Sequence, residues 1–350
     1  MTSKSDIKAE AERLRFALEA RGAVAFDADV LQPAGALLDL YGEDIRARAF
    51  VTSDPLRGEM MLRPDFTVPL VQSHVAMDAG ATRYAYAGEV FRRQEDDASR
   101  PAEYFQVGFE VFGRAAAEAD AEVFATFADL LSELELRPAV GDIGLLRAAI
   151  EGLPIGDARK AFLMHHLWRP KRFRALLGQM TQEPVRPLPK APVEGAVEVG
   201  LRTRSDVVAR IEAMTADRSE PLLSKDAVDL IDALLTVRQA APNALAQLED
   251  IAVDMPSIKS AVDRLSGRFE AIAARGIDVS TLGFEASYGR TSLEYYDGFV
   301  FGFYADKRPD LPPVATGGRY DALTRVLGGV QAMPAVGGVI RPGLILELAS

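Results

Sequence analysis

Two runs typical of β-strands, residues 84–92 and 104–112, flank a short charged loop and constrain the fold more than any other pattern. Both runs are rich in aromatic and β-branched residues, and the stretch between them contains turn residues, so they predict a β-hairpin. Because side chains alternate between the faces of a strand, Gln106, Gly108 and Glu110 share one face. At about 3.3 Å per residue, Gln106 and Glu110 are roughly 13 Å apart. The glycine is expected to leave an open floor between them that could hold both ends of a small polar molecule.

The composition indicates a folded chain with a sizeable core, because 48% of its 350 residues are hydrophobic. Forty basic and 51 acidic residues give a formal net charge of −11, which argues against non-specific nucleic-acid binding and against an anionic membrane surface. The absence of cysteine excludes disulfides, thiolate catalysis and cysteine-ligated metal. The N-terminal segment is too charged for a signal peptide, and no apolar run approaches about 18 residues, so we expect a cytoplasmic protein with no membrane partner.

Hydrophobic periodicity predicts an α+β chain. The predicted helices are residues 5–21, 36–41 and 117–135, and the other predicted strands are residues 23–31, 49–53, 60–63, 139–143, 281–288 and 295–304. Residues 145–275 are mostly helix-patterned, with one proline-rich interruption. We therefore expect a core domain of residues 1–144 and 276–350, and a mostly helical insertion of residues 145–275.

The insertion contains His165 and His166 beside a basic run that includes Lys171, Arg172 and Arg174. Adjacent histidines do not share a helix face, and no other histidine or cysteine is near them in sequence. We expect a solvated helix face here and no metal site.

Two short segments place polar or flexible residues where a chain changes direction. Asp65 and Thr67 follow Pro64 at a predicted strand-to-helix junction, where Thr67 is a candidate N-cap and Asp65 is a turn or capping residue unless it binds a ligand. Gly317 and Gly318 precede a helix-patterned run. They would allow a close backbone approach to an anion, but a simple turn into the helix is the favoured interpretation.

In their order and spacing these segments resemble the catalytic core of class II aminoacyl-tRNA synthetases, and most closely histidyl-tRNA synthetase. The matched motifs are the strand ending at Pro33 with the next helix, LRPDFT at 62–67, GEVFRRQ through QVGFEVFG at 88–113, LEYYDG at 293–298, TGGRYD at 316–321 and PAVGGVI at 334–340. The resemblance implies an antiparallel sheet flanked by helices and a dimer formed through the first hundred residues.

The same resemblance implies a pocket for histidine. Asp65, Thr67 and Gln106 would surround the α-amino group of the ligand, and Glu110 with Tyr296 would surround an imidazole ring. An imidazole held between a carboxylate and a phenol has both nitrogens paired, so another side chain would leave buried polar groups unsatisfied. Arg92 and Tyr295 belong to the same matched motifs. The expected histidine-binding residues are therefore Asp65, Thr67, Arg92, Gln106, Glu110, Tyr295 and Tyr296.

Several positions depart from a catalytic synthetase. Gln94 stands where an acidic residue is expected after Arg92, and three acidic residues follow at 95–97, which would repel ATP and tRNA. Thr291 occupies the position of an arginine that stabilises the reacting carboxylate; Arg290 is one step off and, if the segment is extended, is expected to point to the other face.

The last motif departs as well. Leu344 occupies the position of a nucleotide-binding arginine, and Arg341 cannot be assumed to replace it. No anticodon-binding domain is expected, since the chain ends at Ser350. Adenylate formation needs cations placed around developing negative charge, so these departures predict a chain without catalytic residues.

A histidine pocket without this catalytic machinery resembles the regulatory subunits of short-form ATP phosphoribosyltransferase. That resemblance implies a non-catalytic chain, without cofactor or nucleic-acid partner, that assembles with a small catalytic subunit, typically as a hetero-octamer. The chain would raise the activity of that subunit and would confer feedback inhibition by histidine. Three alternatives stay open: an active truncated histidyl-tRNA synthetase, a tRNA-independent histidine-adenylating enzyme, and a scaffold with a vestigial pocket.

Overall fold

The computed structural model describes residues 3–35, 49–94, 100–184, 187–190, 202–290, 295–329 and 333–350. The helices in these ranges are α1 Lys4–Glu19, α2 Thr67–Ala76, α3 Ala116–Leu130, α4 Ile143–Glu151, α5 Asp157–His165, α6 Pro170–Met180, α7 Arg204–Ser219, α8 Lys225–Thr236, α9 Ala241–Asp254, α10 Lys259–Ala273, α11 Asp321–Gly328 and α12 Pro342–Ala349. The strands are β1 Val24–Ala25, β2 Leu31–Pro33, β3 Val51–Asp54, β4 Gly58–Leu62, β5 Arg83–Phe91, β6 Glu103–Phe112, β7 Arg137–Asp142, β8 Arg238–Ala240, β9 Gly283–Glu285, β10 Phe299–Tyr304, β11 Ala315–Arg319 and β12 Ala335–Ile340.

Two sheets organise the described residues. Nine strands form a large sheet in the order β1-β5-β6-β12-β11-β10-β7-β9-β8, and three form a small sheet in the order β2-β4-β3. In the large sheet the pairs β1–β5 and β7–β9 are parallel, whereas the others are antiparallel. The α+β class with a mainly antiparallel sheet is therefore confirmed.

The predicted central hairpin is the interior of the large sheet. Strand β6 lies between β5 and β12, where Glu110 is opposite Tyr84 on one side and Gly337 on the other. The apolar face of β6, which includes Val107, Phe109 and Val111, is buried as expected. Strands with both neighbours paired are fixed in register, so the polar face of β6 presents its side chains at defined positions.

One face of the sheet is covered by helices rich in aromatic contacts. The ring of Phe124 in α3 lies 6.2, 5.6 and 5.4 Å from the rings of Phe299, Phe301 and Phe303 in β10. Aromatic pairs at these separations add to the stabilisation that burial provides. Helix α3 is thereby held against the centre of the sheet.

A buried ion-pair network joins the middle of the chain to this core. Arg268 in α10 donates from Nε to Asp120 in α3 at 2.7 Å and from Nη1 to Asp142 at the end of β7 at 2.6 Å. Arg319 at the end of β11 donates to the other oxygen of Asp120 at 2.7 Å. Two buried carboxylates are thus compensated by two buried guanidinium groups, as buried charges require.

Several predicted elements differ from the observed ones. Residues 23–31 contain only the short strand β1 and the first residue of β2, with a bend at residue 30 between them. Residues 281–288 contain only the short strand β9, and residues 295–304 are a strand only from Phe299. The predicted helix at 36–41 lies outside the described residues.

Gly317 and Gly318 do not form the turn into a helix that the sequence favoured. Both residues lie inside β11, opposite Gly338 and Gly337 of β12, and the following helix begins only at Asp321. A Cβ on Gly317 would lie 2.4 Å from the carbonyl oxygen of Gly337. Close packing between neighbouring strands therefore explains this glycine better than a turn does.

None of the described helices is long and apolar enough to cross a membrane. The middle helices contribute buried residues such as Leu163, Phe173 and Leu248 to the hydrophobic core. The domain boundaries at residues 144/145 and 275/276 stay a prediction.

Candidate functional site

A cavity of about 230 Å³ lies over the polar face of β6. All seven residues expected to bind histidine line it, namely Asp65, Thr67, Arg92, Gln106, Glu110, Tyr295 and Tyr296. They come from the start of α2, from the two strands of the central hairpin and from the segment before β10. The structure thus brings together side chains that are up to 231 positions apart in the sequence (296 − 65).

Glu110 is the most constrained polar group of the cavity. Its Oε1 accepts hydrogen bonds from Tyr86 at 3.0 Å and from Thr67 at 3.3 Å, and its Oε2 accepts one from Tyr320 at 2.7 Å. Burial raises the pKa of Glu110 from 4.5 to about 8, although the three hydroxyl donors act in the opposite direction. A carboxyl group poised near neutral pH can accept from, or donate to, a ligand nitrogen.

Two glycines make room for Glu110 and its partners. Strand register places Tyr86 opposite Gly108, and a Cβ on Gly108 would lie 1.9 Å from the ring of Tyr86. The expectation of an open floor above Gly108 is therefore wrong, because the Tyr86 ring occupies that space. A Cβ on Gly337 would lie 1.4 Å from Oε2 of Glu110, so this glycine is required for the Glu110 side chain to fit.

Gln106 presents an amide to the cavity. Its side chain is 1% exposed, and neither Nε2 nor Oε1 has a hydrogen-bond partner among the described residues. A buried polar group left unpaired costs about 1–3 kcal/mol, so such groups normally have a reason to be retained. A ligand that both donates and accepts beside Gln106 would pair this amide.

Asp65 and Thr67 reach the cavity from the beginning of α2. Thr67 is the first residue of the helix and Phe66 is its N-cap, so the expected N-cap role of Thr67 is wrong. The Thr67 hydroxyl instead donates to Glu110, because the helix start points it at the buried carboxyl. Oδ1 of Asp65 accepts a long hydrogen bond of 3.4 Å from the Val68 amide, so Asp65 stabilises the helix start as well as lining the cavity.

Tyrosine rings form one wall of the cavity, beside Glu110. The rings of Tyr295 and Tyr296 lie 4.8 Å apart, and Tyr295 contacts Tyr320 at 5.9 Å. Burial raises the pKa of both Tyr296 and Tyr320, and the nearby charge of Glu110 raises it further. Both phenols are therefore neutral at physiological pH and able to donate a hydrogen bond.

Asp297 links this wall to the next motif. Its Oδ1 accepts from the amide of Asp321 at 3.0 Å and its Oδ2 from the amide of Ala322 at 2.7 Å. A carboxylate from a different segment thus supplies the cap that α11 lacks in its own sequence. Burial, with a smaller contribution from Asp321, raises the pKa of Asp297 to about 6.

Arginines lie at the opposite end of the cavity from Glu110. Arg92 donates from Nε to the carbonyl of Pro64 at 2.7 Å, and Arg341 donates from Nη1 to the carbonyl of Pro313 at 2.6 Å. Both line the cavity. Arg341 was missed as a site residue, although alternation along residues 337, 339 and 341 would have placed it on the same face as Gly337.

Arg290 does not line the cavity. Its Nε donates to the carbonyl of Leu167 at 2.9 Å, and its guanidinium lies 4.9 Å from the centre of the Phe173 ring. Arg290 lies in a turn, so the strand alternation assumed for it does not apply, although its side chain is not among those that line the cavity. Thr291 and the acidic residues 95–97 lie outside the described residues. Leu344 is in α12 and packs against the hydrophobic core.

Two further expectations concern polar residues outside the cavity. Gln94 donates to the carbonyl of Pro101 at 3.1 Å within its own loop. His165 is exposed at the end of α5, as are Lys171 and Arg172 in α6. Among the residues that the structure describes, no three histidine, aspartate or glutamate side chains are grouped so that they could bind a metal ion.

The family model and the curated relatives that match this chain point to the same family. The family model for histidyl-tRNA synthetase matches residues 11–342. An ATP phosphoribosyltransferase regulatory subunit from Rhizobium etli (strain CIAT 652) is 32% identical over 352 residues, which cover 91% of each chain. A protein of the same name from Brucella canis is 32% identical over 360 residues, with 93% of each chain covered.

Solved structures share the fold. An ATP phosphoribosyltransferase regulatory subunit/histidyl-tRNA synthetase from Bacillus halodurans has a TM-score of 0.71 at 20% identity, covering 99% of this chain and 80% of that one. A histidine–tRNA ligase subunit from Alicyclobacillus acidocaldarius has a TM-score of 0.62 at 21% identity, covering 98% and 92%. These results, with the ordered motifs and the tyrosine-lined cavity, show that the chain belongs to the histidyl-tRNA synthetase-like family of ATP phosphoribosyltransferase regulatory subunits.

Proposed function

We propose that this chain is the regulatory subunit of a short-form ATP phosphoribosyltransferase, the first enzyme of histidine biosynthesis. It activates a small catalytic subunit and confers feedback inhibition by histidine, which binds in the cavity over β6. The curated relatives carry this name and match along more than nine-tenths of the chain.

The observation that carries the proposal is the arrangement of Gln106, Glu110 and Tyr296 around one cavity. Glu110 is held by three hydroxyl groups, Tyr296 is a neutral phenol beside it, and Gln106 has an unpaired amide among the described residues. An imidazole between Glu110 and Tyr296 would have both nitrogens paired, and an α-amino group beside Gln106 and Asp65 would meet hydrogen-bond acceptors. Histidine satisfies both ends.

The position of Arg290 supports a regulatory rather than a catalytic role. Its Nε donates to the Leu167 carbonyl and its guanidinium lies against the Phe173 ring, and Arg290 is not among the residues that line the cavity. Acyl activation needs cations that are already placed where charge develops. Because Arg290 contacts Leu167 and Phe173 in the helical segment, the chain is suited to binding histidine without forming an adenylate.

The second candidate is a histidine-adenylating enzyme, and the observation that favours it is the pair Arg92 and Arg341 at one end of the cavity. Two guanidinium groups could bind a phosphate. Histidine-dependent exchange of pyrophosphate into ATP by the purified chain would establish this activity and contradict a purely regulatory role.

The decisive experiment mixes this chain with a short-form catalytic subunit and measures phosphoribosyl transfer with and without histidine. We expect activity to rise several-fold when the chain is added and to fall again when histidine is added. If the chain leaves the catalytic rate unchanged, or if histidine inhibits equally in its absence, the proposal is wrong.

Tyr296→Phe tests the role of the cavity in this assay. The variant keeps the ring and removes one hydrogen bond to the ligand, which is worth about 1 kcal/mol, so the histidine concentration for half-inhibition is expected to rise about five- to tenfold. Tyr84→Phe is the matched control, because the Tyr84 hydroxyl is buried on the same sheet but contacts His74. Unchanged inhibition by histidine in Tyr296→Phe would favour a vestigial pocket.

The assembly includes a homodimer, and a hetero-octamer with the catalytic subunit, in the cytoplasm. The small sheet supports the homodimer, because apolar side chains are exposed in β2 and just before β3. Leu31 is 46% exposed and Phe50 is 37% exposed, and they flank Leu62 on one face. Exposed apolar patches of this kind mark interaction surfaces.

A further inference from the structure

The end of β12 adds a cation to the cavity beside Gln106. Ile340 is opposite Val107 in the sheet, and Arg341 continues the extended backbone with φ −107° and ψ 95°. Alternation from Gly337 through Val339 places the Arg341 side chain on the cavity face. Because Gly337 is opposite Glu110, Arg341 and Glu110 lie at opposite ends of the cavity.

Arg341 is a cation for which the described part of the chain supplies no carboxylate partner. Within the described residues its guanidinium makes one hydrogen bond, to the carbonyl of Pro313 at 2.6 Å, and no ion pair. Burial lowers the pKa of Arg341, and the nearby charge of Arg92 contributes in the same direction. Arg341 is only half-buried, but a cation withdrawn from water beside a like charge is stabilised when an anion binds next to it.

The size of the cavity restricts that anion. About 230 Å³ is below the roughly 300–1,000 Å³ usual for pockets that hold drug-sized ligands. This volume favours a small amino acid over a nucleotide. The separation of Glu110 and Gln106 along β6, roughly 13 Å, leaves room for an amino acid with a hydrogen bond at each end, the side chain toward Glu110 and the carboxylate toward Arg341.

We propose that Arg341 binds the carboxylate of the amino-acid ligand, in the place of the arginine that the family has where Thr291 stands in this chain. This inference rests on the proposed histidine site and names its carboxylate-binding residue. The ligand lies with its imidazole at Glu110, its ammonium group near Asp65 and Gln106, and its carboxylate at Arg341. A guanidinium and a carboxylate form charge-assisted hydrogen bonds, which are the stronger kind.

The test compares L-histidine with L-histidinamide, in which a neutral amide replaces the carboxylate. Binding of each ligand to the full chain is measured by titration calorimetry, or by ligand-observed NMR where it is weak. We expect the wild type to prefer histidine at least tenfold. In Arg341→Gln this preference is expected to disappear, while the affinity for histidinamide stays within about threefold of the wild-type value.

Two further variants make the result unambiguous. Arg341→Lys keeps the charge but not the planar fork, so it is expected to keep part of the preference for histidine. Arg264→Gln is the matched control, because Arg264 is an exposed arginine of α10 remote from the cavity residues, and it is expected to behave like the wild type.

The outcomes separate the inference from the proposed function. If Arg341→Gln retains the wild-type preference, or if it weakens both ligands equally, Arg341 does not bind the carboxylate and the inference is overturned while histidine sensing stands. If the wild type binds no histidine even with the catalytic subunit present, the proposed histidine site itself is wrong, and the inference is lost with it.

Discussion

At the scale of single residues, Glu110 shows how burial competes with hydrogen bonding. Three hydroxyl donors stabilise its carboxylate, yet removal from water raises the pKa from 4.5 to about 8. The neutral form is therefore favoured in the folded chain over a wide pH range, whereas the unfolded chain ionises near the usual pKa.

This difference predicts a pH-dependent stability. Below about pH 4.5 the carboxyl group is protonated in both the folded and the unfolded chain. Between about pH 4.5 and 8 only the unfolded chain releases the proton. The contribution of Glu110 to the unfolding free energy therefore falls as the pH rises through this range. Each pKa unit is worth about 1.4 kcal/mol, so the loss is a few kcal/mol. Denaturant titrations at pH 5 to 9 should show the stability of the wild type falling relative to Glu110→Gln. Parallel curves for the two proteins would contradict the raised pKa.

At the scale of elements, helix α10 is anchored by charge as well as by apolar packing. Arg268 is 3% exposed and compensates Asp120 and Asp142, while Asp120 also pairs with Arg319, the residue before Tyr320. The network therefore connects the helical middle of the chain to the strand that delivers Tyr320 to Glu110.

Arg268→Met is expected to destabilise the protein by about 3–5 kcal/mol, because it leaves a buried carboxylate pair without its shared cation. The matched control is Lys259→Ala on the same helix, whose exposed pair with Asp263 is screened by water and should contribute far less to stability. Chemical denaturation of both variants tests the comparison. Equal small effects would mean that apolar packing alone holds α10.

At the scale of the whole molecule, the small sheet is expected to join two copies of the chain. Leu31 in β2 and Phe50, just before β3, lie on either side of Leu62 and are partly exposed. Leu31→Glu would place a charge in that contact without a partner, so it is expected to weaken self-association at least tenfold, a change of about 1.4 kcal/mol.

Sedimentation velocity over a range of concentrations measures this effect. Val253→Glu is the control, because Val253 is 77% exposed in α9, away from the small sheet. A wild-type chain that stays monomeric at high concentration, or an equal effect of both variants, would exclude the small sheet as the dimer contact.

Alternation and motif order in the sequence were sufficient for the central hairpin, for its apolar and polar faces, and for seven of the residues that line the cavity. Gln106 and Glu110 share a face because strand periodicity is local, and local rules can be applied to a sequence without its partners. The binding of histidine to these residues stays a prediction.

Only the tertiary structure decided which long-range neighbours those residues have. Tyr86 fills the space over Gly108, Asp297 caps a helix that begins 24 positions later, and Arg290 turns towards Leu167, 123 positions away. Arg341 joins the cavity because β12 pairs with β6 across more than two hundred residues. Such contacts depend on sheet order and register, which the side-chain pattern of a single strand does not contain. The sequence by itself determined the faces of the hairpin, and the pairing of distant strands decided which groups meet Glu110 and which cation lies opposite it.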